Sequence, residues 1–160
     1  MCNSSSLSKA MVLTPTPPGN DFLTEEELGR NEDIYPLDLY FCSECFHIQL
    51  GHVVDPKILY QKNYTYVSAT SNHFVNHLEN YAKEMIERFK LKEGSIVVDI
   101  GSNDGTCLSF FKSSGMNVLG IDPATEVAQI ANKNGIETVS DFFNYEVAVE
   151  LQKNMEMLTL

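Results

Sequence analysis

No apolar run in this sequence approaches the ~20 residues that a membrane-spanning helix requires, and Met1 to Ser8 lacks the basic start and apolar core of a secretory signal. The chain therefore reads as cytoplasmic, with no membrane partner. Basic charge is scarce as well: 11 Lys and Arg stand against 22 Asp and Glu, a formal net charge of −11. The acidic excess runs through both halves, so no basic stripe exists to neutralise phosphates, and a nucleic-acid partner is excluded. The acidity reads instead as a solubility feature. Cysteine is limited to Cys2, Cys42, Cys45 and Cys107. In a cytosolic chain the Cys42-Ser43-Glu44-Cys45 spacing favours a metal over a disulfide. Also missing is the G-x-G-x-x-G pattern of dinucleotide sites, although a strand running into a glycine turn is present.

What is there suffices for a globular protein. The 160 residues are 43% hydrophobic and 10% aromatic, enough for one ordinary domain or two small ones. Residues 1–20 are rich in Ser, Thr and Pro and read as an extended arm. Thr24 to Leu28 predicts a short helix, with Thr24 as N-cap, Glu27 as its capping-box partner and Gly29 as the stop. Tyr35 to Phe41 predicts a strand, and Phe46 to Gly51 its hairpin mate. The turn between them carries Cys42 and Cys45, an arrangement suited to two thiolates of a zinc knuckle. Tyr60 to Ser71 is polar and tyrosine-rich. From Asn72 to Lys90, Phe74, Leu78, Tyr81, Ala82, Met85 and Phe89 recur at helical spacing.

The remainder alternates strand and helix. Strands are expected at Ile96–Ile100, Asn117–Ile121 and Glu137–Val139. Helices are expected at 106–114, 124–134 and from Asn144 to about Lys153. That order implies a parallel sheet with crossover helices. The fold class is therefore α/β: a small zinc-binding β-hairpin domain over 1–70, then the first half of a Rossmann-like domain over 71–160. Three strands are half of a doubly wound sheet, so Ile96–Ile100 would form an apolar edge and the chain reads as a fragment.

The stretch Ser95 to Gly105 organises this second half. A β-branched strand runs into Gly101-Ser102-Asn103-Asp104-Gly105 and then a helix, which sets backbone N–H groups and a helix N-terminus beside a crevice. Asp99 ends the strand. Asp122, 21 residues after Gly101, ends the next one, where ribose hydroxyls would lie. Asp104 would repel a pyrophosphate, which argues against a nicotinamide dinucleotide. A phosphate-free cofactor with a ribose and a cationic tail suits the acidic loop better, and S-adenosylmethionine is such a cofactor. The bland alternative is an ordinary βα turn with an acidic cap.

For the metal, Cys42 and Cys45 supply two ligands and Cys2 is a candidate third; structural zinc takes four. Two unligated cysteines in a hairpin are the alternative. Tyr64 and Tyr66 could offer phenols for proton transfer or substrate positioning, or could simply pack. Cys107 reads as a small core residue, and His47, His52, His73 and His77 read as packed or solvated.

Taken together, these stretches resemble the zinc-containing sugar C-methyltransferases, which use S-adenosylmethionine to methylate a carbon of nucleotide-linked deoxy- or keto-sugars. The likeness is carried by Pro17–Leu23, Tyr35–Leu39, Cys42-x-x-Cys45 with Gln49-Leu50, Tyr64–Ser71, Val97–Gly105, Gly120–Pro123 and Asp141-Phe142-Phe143. The resemblance implies one zinc held by four cysteines, with Cys2, Cys42 and Cys45 as three of them and the other falling before Met1. It also implies a cofactor loop of Gly101, Ser102, Asn103, Asp104 and Gly105, Asp122 on the ribose, and Asp141 or Phe142 near the adenine. Enolate formation beside a sugar ketone and attack on the sulfonium methyl would be the chemistry, with Tyr64 or Tyr66 lining the site. The family's histidine-containing base motif and C-terminal domain would lie beyond Leu160. The competing reading is a non-catalytic zinc-hairpin interaction module with a vestigial Rossmann half.

Overall fold

A computed structural model describes residues 2–61 and 64–158, with side chains through residue 153. Met1, and Lys62 and Asn63 of the tyrosine-rich stretch, lie outside the described residues. Two compact units divide the chain, residues 1–63 and 64–160. The division falls ahead of the boundary expected after residue 70. Its cause is local: the backbone of residues 66–69 is bonded to Asn103 and Asp104 of the second unit.

The first unit is an antiparallel sheet of β1 (Leu7–Met11), β2 (Leu39–Cys42) and β3 (Ile48–Leu50), in that order. Part of the arm expected over residues 1–20 is thus a strand. Pairing of Leu7–Met11 with β2 gives partners to backbone groups that an arm would leave in water. The expected strand at Tyr35 starts only at Leu39. Upstream, Pro36 has no N–H to donate, and Tyr35 instead exchanges two backbone hydrogen bonds with Thr16, of 3.0 and 3.1 Å. The hairpin mate begins at Ile48 rather than Phe46, because Phe46 is left-handed at φ +61. The helix expected near residue 25 is a single 3-10 turn, Glu25–Glu27, whose Glu27 carboxylate accepts from the Thr24 N–H at 3.0 Å. An unexpected short helix, α1 (Pro56–Tyr60), is capped by Asp55, which accepts from the Lys57 N–H at 2.9 Å. Little apolar surface is sequestered here. Among the described residues of this unit, Cys42 alone is a buried apolar side chain.

The second unit opens with α2 (Asn72–Phe89), where the helical spacing expected it. The Ser71 hydroxyl accepts from the Phe74 N–H at its start, and left-handed Lys90 ends it. Next come β4 (Ile96–Ile100), α3 (Thr106–Ser113), β5 (Asn117–Ile121), α4 (Thr125–Lys133), β6 (Thr138–Val139) and α5 (Tyr145–Leu158). The three strands are parallel in the order β4-β5-β6, as the alternating pattern requires. One sheet face, marked by Val97 and Val118, packs on Leu108 of α3, Ala131 of α4 and Ile136 in the connection from α4 to β6. A second cluster joins α2 to α3 through Ala82, Phe111 and Met116. On the opposite face, Leu119 and Ile121 are buried, whereas Ile96, Val98 and Ile100 of β4 are 44 to 57% exposed. β4 is also the edge strand of this sheet, as expected from the sequence, and the exposed row is one of its faces.

Candidate functional site

Three thiols converge in the first unit. Cys42 and Cys45 sit at the ends of the tight turn after β2, and Cys2 reaches them from the chain segment before β1. The Cys2 Sγ lies 3.6 Å from Cys42 Sγ and 3.3 Å from Cys45 Sγ. Thiolates arranged around one zinc at bonds of ~2.3 Å sit about 3.8 Å apart, close to this spacing. Backbone geometry favours the charged form at one of them: the Cys45 and Glu44 N–H groups point at the Cys42 sulfur and hold its thiol below the usual range. The Ser4 N–H acts in the same direction on Cys2, but the adjoining Cys45 and Cys42 thiols push that group up on balance. Mutual crowding of three thiols is the condition that a bound cation relieves. The residues after Cys2 and Cys45, Asn3 and Phe46, are both left-handed at φ +56 and +61. His47 remains outside the cluster; its side chain is exposed and its carbonyl accepts from the Cys42 N–H at 2.9 Å. The donor set fits zinc through Cys2, Cys42 and Cys45.

The loop of the second unit is built differently. Gly101, Asn103 and Gly105 are all left-handed, at φ +81, +52 and +77. From the sequence, the loop's backbone N–H groups are expected beside a crevice, where a ligand would meet them. They turn inward instead. Gly101 and Ser102 donate to the Ile121 carbonyl at 2.7 and 3.2 Å, and Asn103 donates to the Asp122 carboxylate at 2.8 Å. Gly105 donates to the Ser102 carbonyl at 3.1 Å and Thr106 to the Asp104 carboxylate at 3.0 Å. Asp122 is buried and also accepts from the Ala124 N–H at 2.8 Å. Each of its oxygens keeps a further lone pair. Asp104 lies in the wall rather than in an open mouth, since its second oxygen accepts from the Ala69 N–H at 3.0 Å. Gly120 allows Ser102 to come close: a Cβ there would collide with Ser102 Oγ and sit 2.6 Å from Thr138 Oγ1.

Asp99 shares the inward face of β4 with Val97 and is half-buried. Desolvation, and then the charge of Asp122, raises its carboxyl above the usual range. Beside it, burial and then Asp99 push the Cys107 thiol up to about 11, which suits the inert packing role expected for it. Asp141 is exposed and accepts from the Phe142 N–H at 2.7 Å, while Phe142 is half-buried. Tyr66 is 46% exposed, its carbonyl accepting from Asn103 Nδ2 at 3.0 Å, and Tyr64 is half-buried. His73 and His77 are exposed on α2, and His52 stacks on Tyr35.

An all-thiol cluster on an antiparallel hairpin sheet, followed by an acid-lined strand–turn–helix on a parallel sheet, defines the class: a zinc-binding unit joined in sequence to a Rossmann-like α/β unit. Residues 1–60 match the family model described as "Putative zinc binding domain", and with the three thiols this makes zinc the metal of the first unit. The chain is also similar to the C-methyltransferase NovU of Streptomyces niveus, at 35% identity over 136 residues. That match covers 85% of this chain and 32% of NovU, so the chain spans about a third of the length of this relative. Among solved structures it is similar to the plantazolicin methyltransferase BpumL in complex with SAH, at 28% identity. There the TM-score is 0.31, with 39% of this chain and 24% of that chain covered, too little for an argument about shape.

Proposed function

We propose that this chain provides the zinc unit and the cofactor-binding half of an S-adenosylmethionine-dependent C-methyltransferase acting on a nucleotide-linked deoxy- or keto-sugar. One observation carries the reading: the likeness to a C-methyltransferase runs through 85% of the chain, and the loop within it is lined by carboxylates. With the N–H groups of residues 101–103, 105 and 106 all engaged internally, the loop suits a cationic, ribose-bearing ligand better than a pyrophosphate. Asp122 would take the ribose hydroxyls on its remaining lone pairs. Asp99 would face the cationic amino-acid tail, whose charge offsets the desolvation that now raises its carboxyl. Asp141 and Phe142 would border the adenine. Tyr64 and Tyr66 would orient the sugar, their phenols held near the carbon from which a proton is lost. Bound there, S-adenosylmethionine would supply an electrophilic sulfonium methyl for transfer to carbon. The zinc, held by thiolates alone, is structural in this reading.

Calorimetry with S-adenosylhomocysteine, beside metal analysis, tests this. Saturable binding that is lost in Asp122→Ala, with zinc bound, is expected. Absence of heat in a folded, zinc-loaded sample overturns the cofactor reading. A stable protein partner at the hairpin, indifferent to Asp122→Ala, would favour the interaction module instead.

A further inference from the structure

Asn103 and Asp104 do more than shape the loop. Asn103 Oδ1 accepts from the Ser68 N–H at 2.8 Å, and its Nδ2 donates to the Tyr66 carbonyl at 3.0 Å. Asp104 Oδ2 accepts from the Ala69 N–H at 3.0 Å while its Oδ1 caps α3 at Thr106. Two adjacent loop side chains, 8% and 4% exposed, thus grip three backbone groups within residues 66–69. Val67 is extended and Ser68–Thr70 form a single 3-10 turn, so the segment makes little regular structure of its own. It is held by the loop.

The grip depends on the loop's conformation. Asn103 points its amide at the segment from a left-handed backbone whose N–H is tied to Asp122. Asp122 is also the group proposed to meet the ribose. The loop conformation that seats the segment is therefore the one that presents the cofactor carboxylate. We infer that Asn103 and Asp104 are positioning residues that couple occupancy of the loop to seating of Tyr66–Thr70. A bound cofactor fixes the tyrosine segment, and by linkage the seated segment tightens cofactor binding. This inference rests on the loop being an S-adenosylmethionine site.

Amide hydrogen exchange on the whole zinc-loaded chain, with S-adenosylhomocysteine as probe, tests it beside calorimetry. Saturation is expected to slow exchange at the Ser68 and Ala69 amides several-fold, with amides of β2 in the first unit as an unchanged control. A purely structural clamp would leave these two amides indifferent to the probe. Asn103→Gly keeps the left-handed backbone and removes both side-chain bonds. It should leave the Ser68 amide fast with or without probe and weaken binding roughly tenfold, as expected for two modest hydrogen bonds. Asn103→Asp restores an acceptor for Ser68 but no donor for Tyr66, so partial recovery of Ser68 protection is expected. Should Asn103→Gly fail to fold, the wild-type comparison and Asn103→Asp decide. Binding with unchanged exchange at Ser68 and Ala69 overturns the coupling and spares the cofactor reading; no binding at all overturns both.

Discussion

The two units solve the problem of holding a site in opposite ways. The first has a sheet of short strands and, among its described residues, one buried apolar side chain, which is itself a candidate ligand, Cys42. Its shape near the site comes from tight turns and from left-handed Asn3 and Phe46. The second encloses Leu108, Phe111, Ile121, Val127, Ala128 and Ala131 almost completely, and its loop is fastened by carboxylates to backbone N–H groups. A unit of about 60 residues with so small a core sits where metals or disulfides are usually needed. Free thiols and the zinc family match point to metal. The lesson is that one site organises its unit, while the other is organised by its unit.

Removing the zinc should break this contrast most severely. Chelation, or Cys42→Ser, is expected to open residues 2–61 to protease and to fast amide exchange while residues 72–153 stay resistant. Structural zinc supplies on the order of 10 kcal/mol in small domains, more than such a core can replace. Resistance of residues 2–61 after complete metal removal would show that the sheet stands without it.

Leu108→Ala probes the other unit. Leu108 is fully buried between α3, α4 and the sheet, so a loss of about 2–5 kcal/mol is expected from urea unfolding of the second unit. Zinc content should not change. Gly120→Ala should have a smaller effect, about 1–3 kcal/mol, because the added methyl meets Ser102 and Thr138 rather than leaving a cavity. S-adenosylhomocysteine affinity should fall with it, since Ser102 anchors the loop to the end of β5.

The smallest effect is expected at Asp99, and it is pH-dependent. Its folded carboxyl is raised above the ordinary value by desolvation and then by Asp122. The folded chain therefore binds this proton more tightly than the unfolded chain does. The stabilisation is present below the unfolded value and is lost as pH rises through the folded one. Asp99→Asn, which does not titrate, should raise the urea midpoint slightly at pH 7, with the gain shrinking toward pH 4. An equal gain at both values would place the effect in packing rather than charge.

Much of the second unit was legible because its signals are local. The β-branched run of β4, the glycine turn and the spacing of α2 each follow from steric and hydrophobic preferences within a few residues. The Asp55-Pro56 start of α1 is a local signal of the same kind. The first unit was harder. Leu7–Met11 carries no strong strand signal, and it becomes a strand because β2 offers it an edge. Phe46, a bulky residue in a left-handed conformation, follows from the demands of the thiol turn and not from its own preference.

The amino-acid sequence by itself determined the elements of the second unit, the parallel order of its sheet, and which cysteines and carboxylates could meet, because spacing and side-chain chemistry are properties of the chain. Tertiary structure decided what those groups do. It brought Cys2 to Cys42 and Cys45 across forty residues. It also turned the loop's N–H groups inward onto Ile121 and Asp122, and set Asn103 and Asp104 against the backbone of Tyr66–Ala69. Buried polar groups must find partners, and only the folded chain fixes which ones lie within reach.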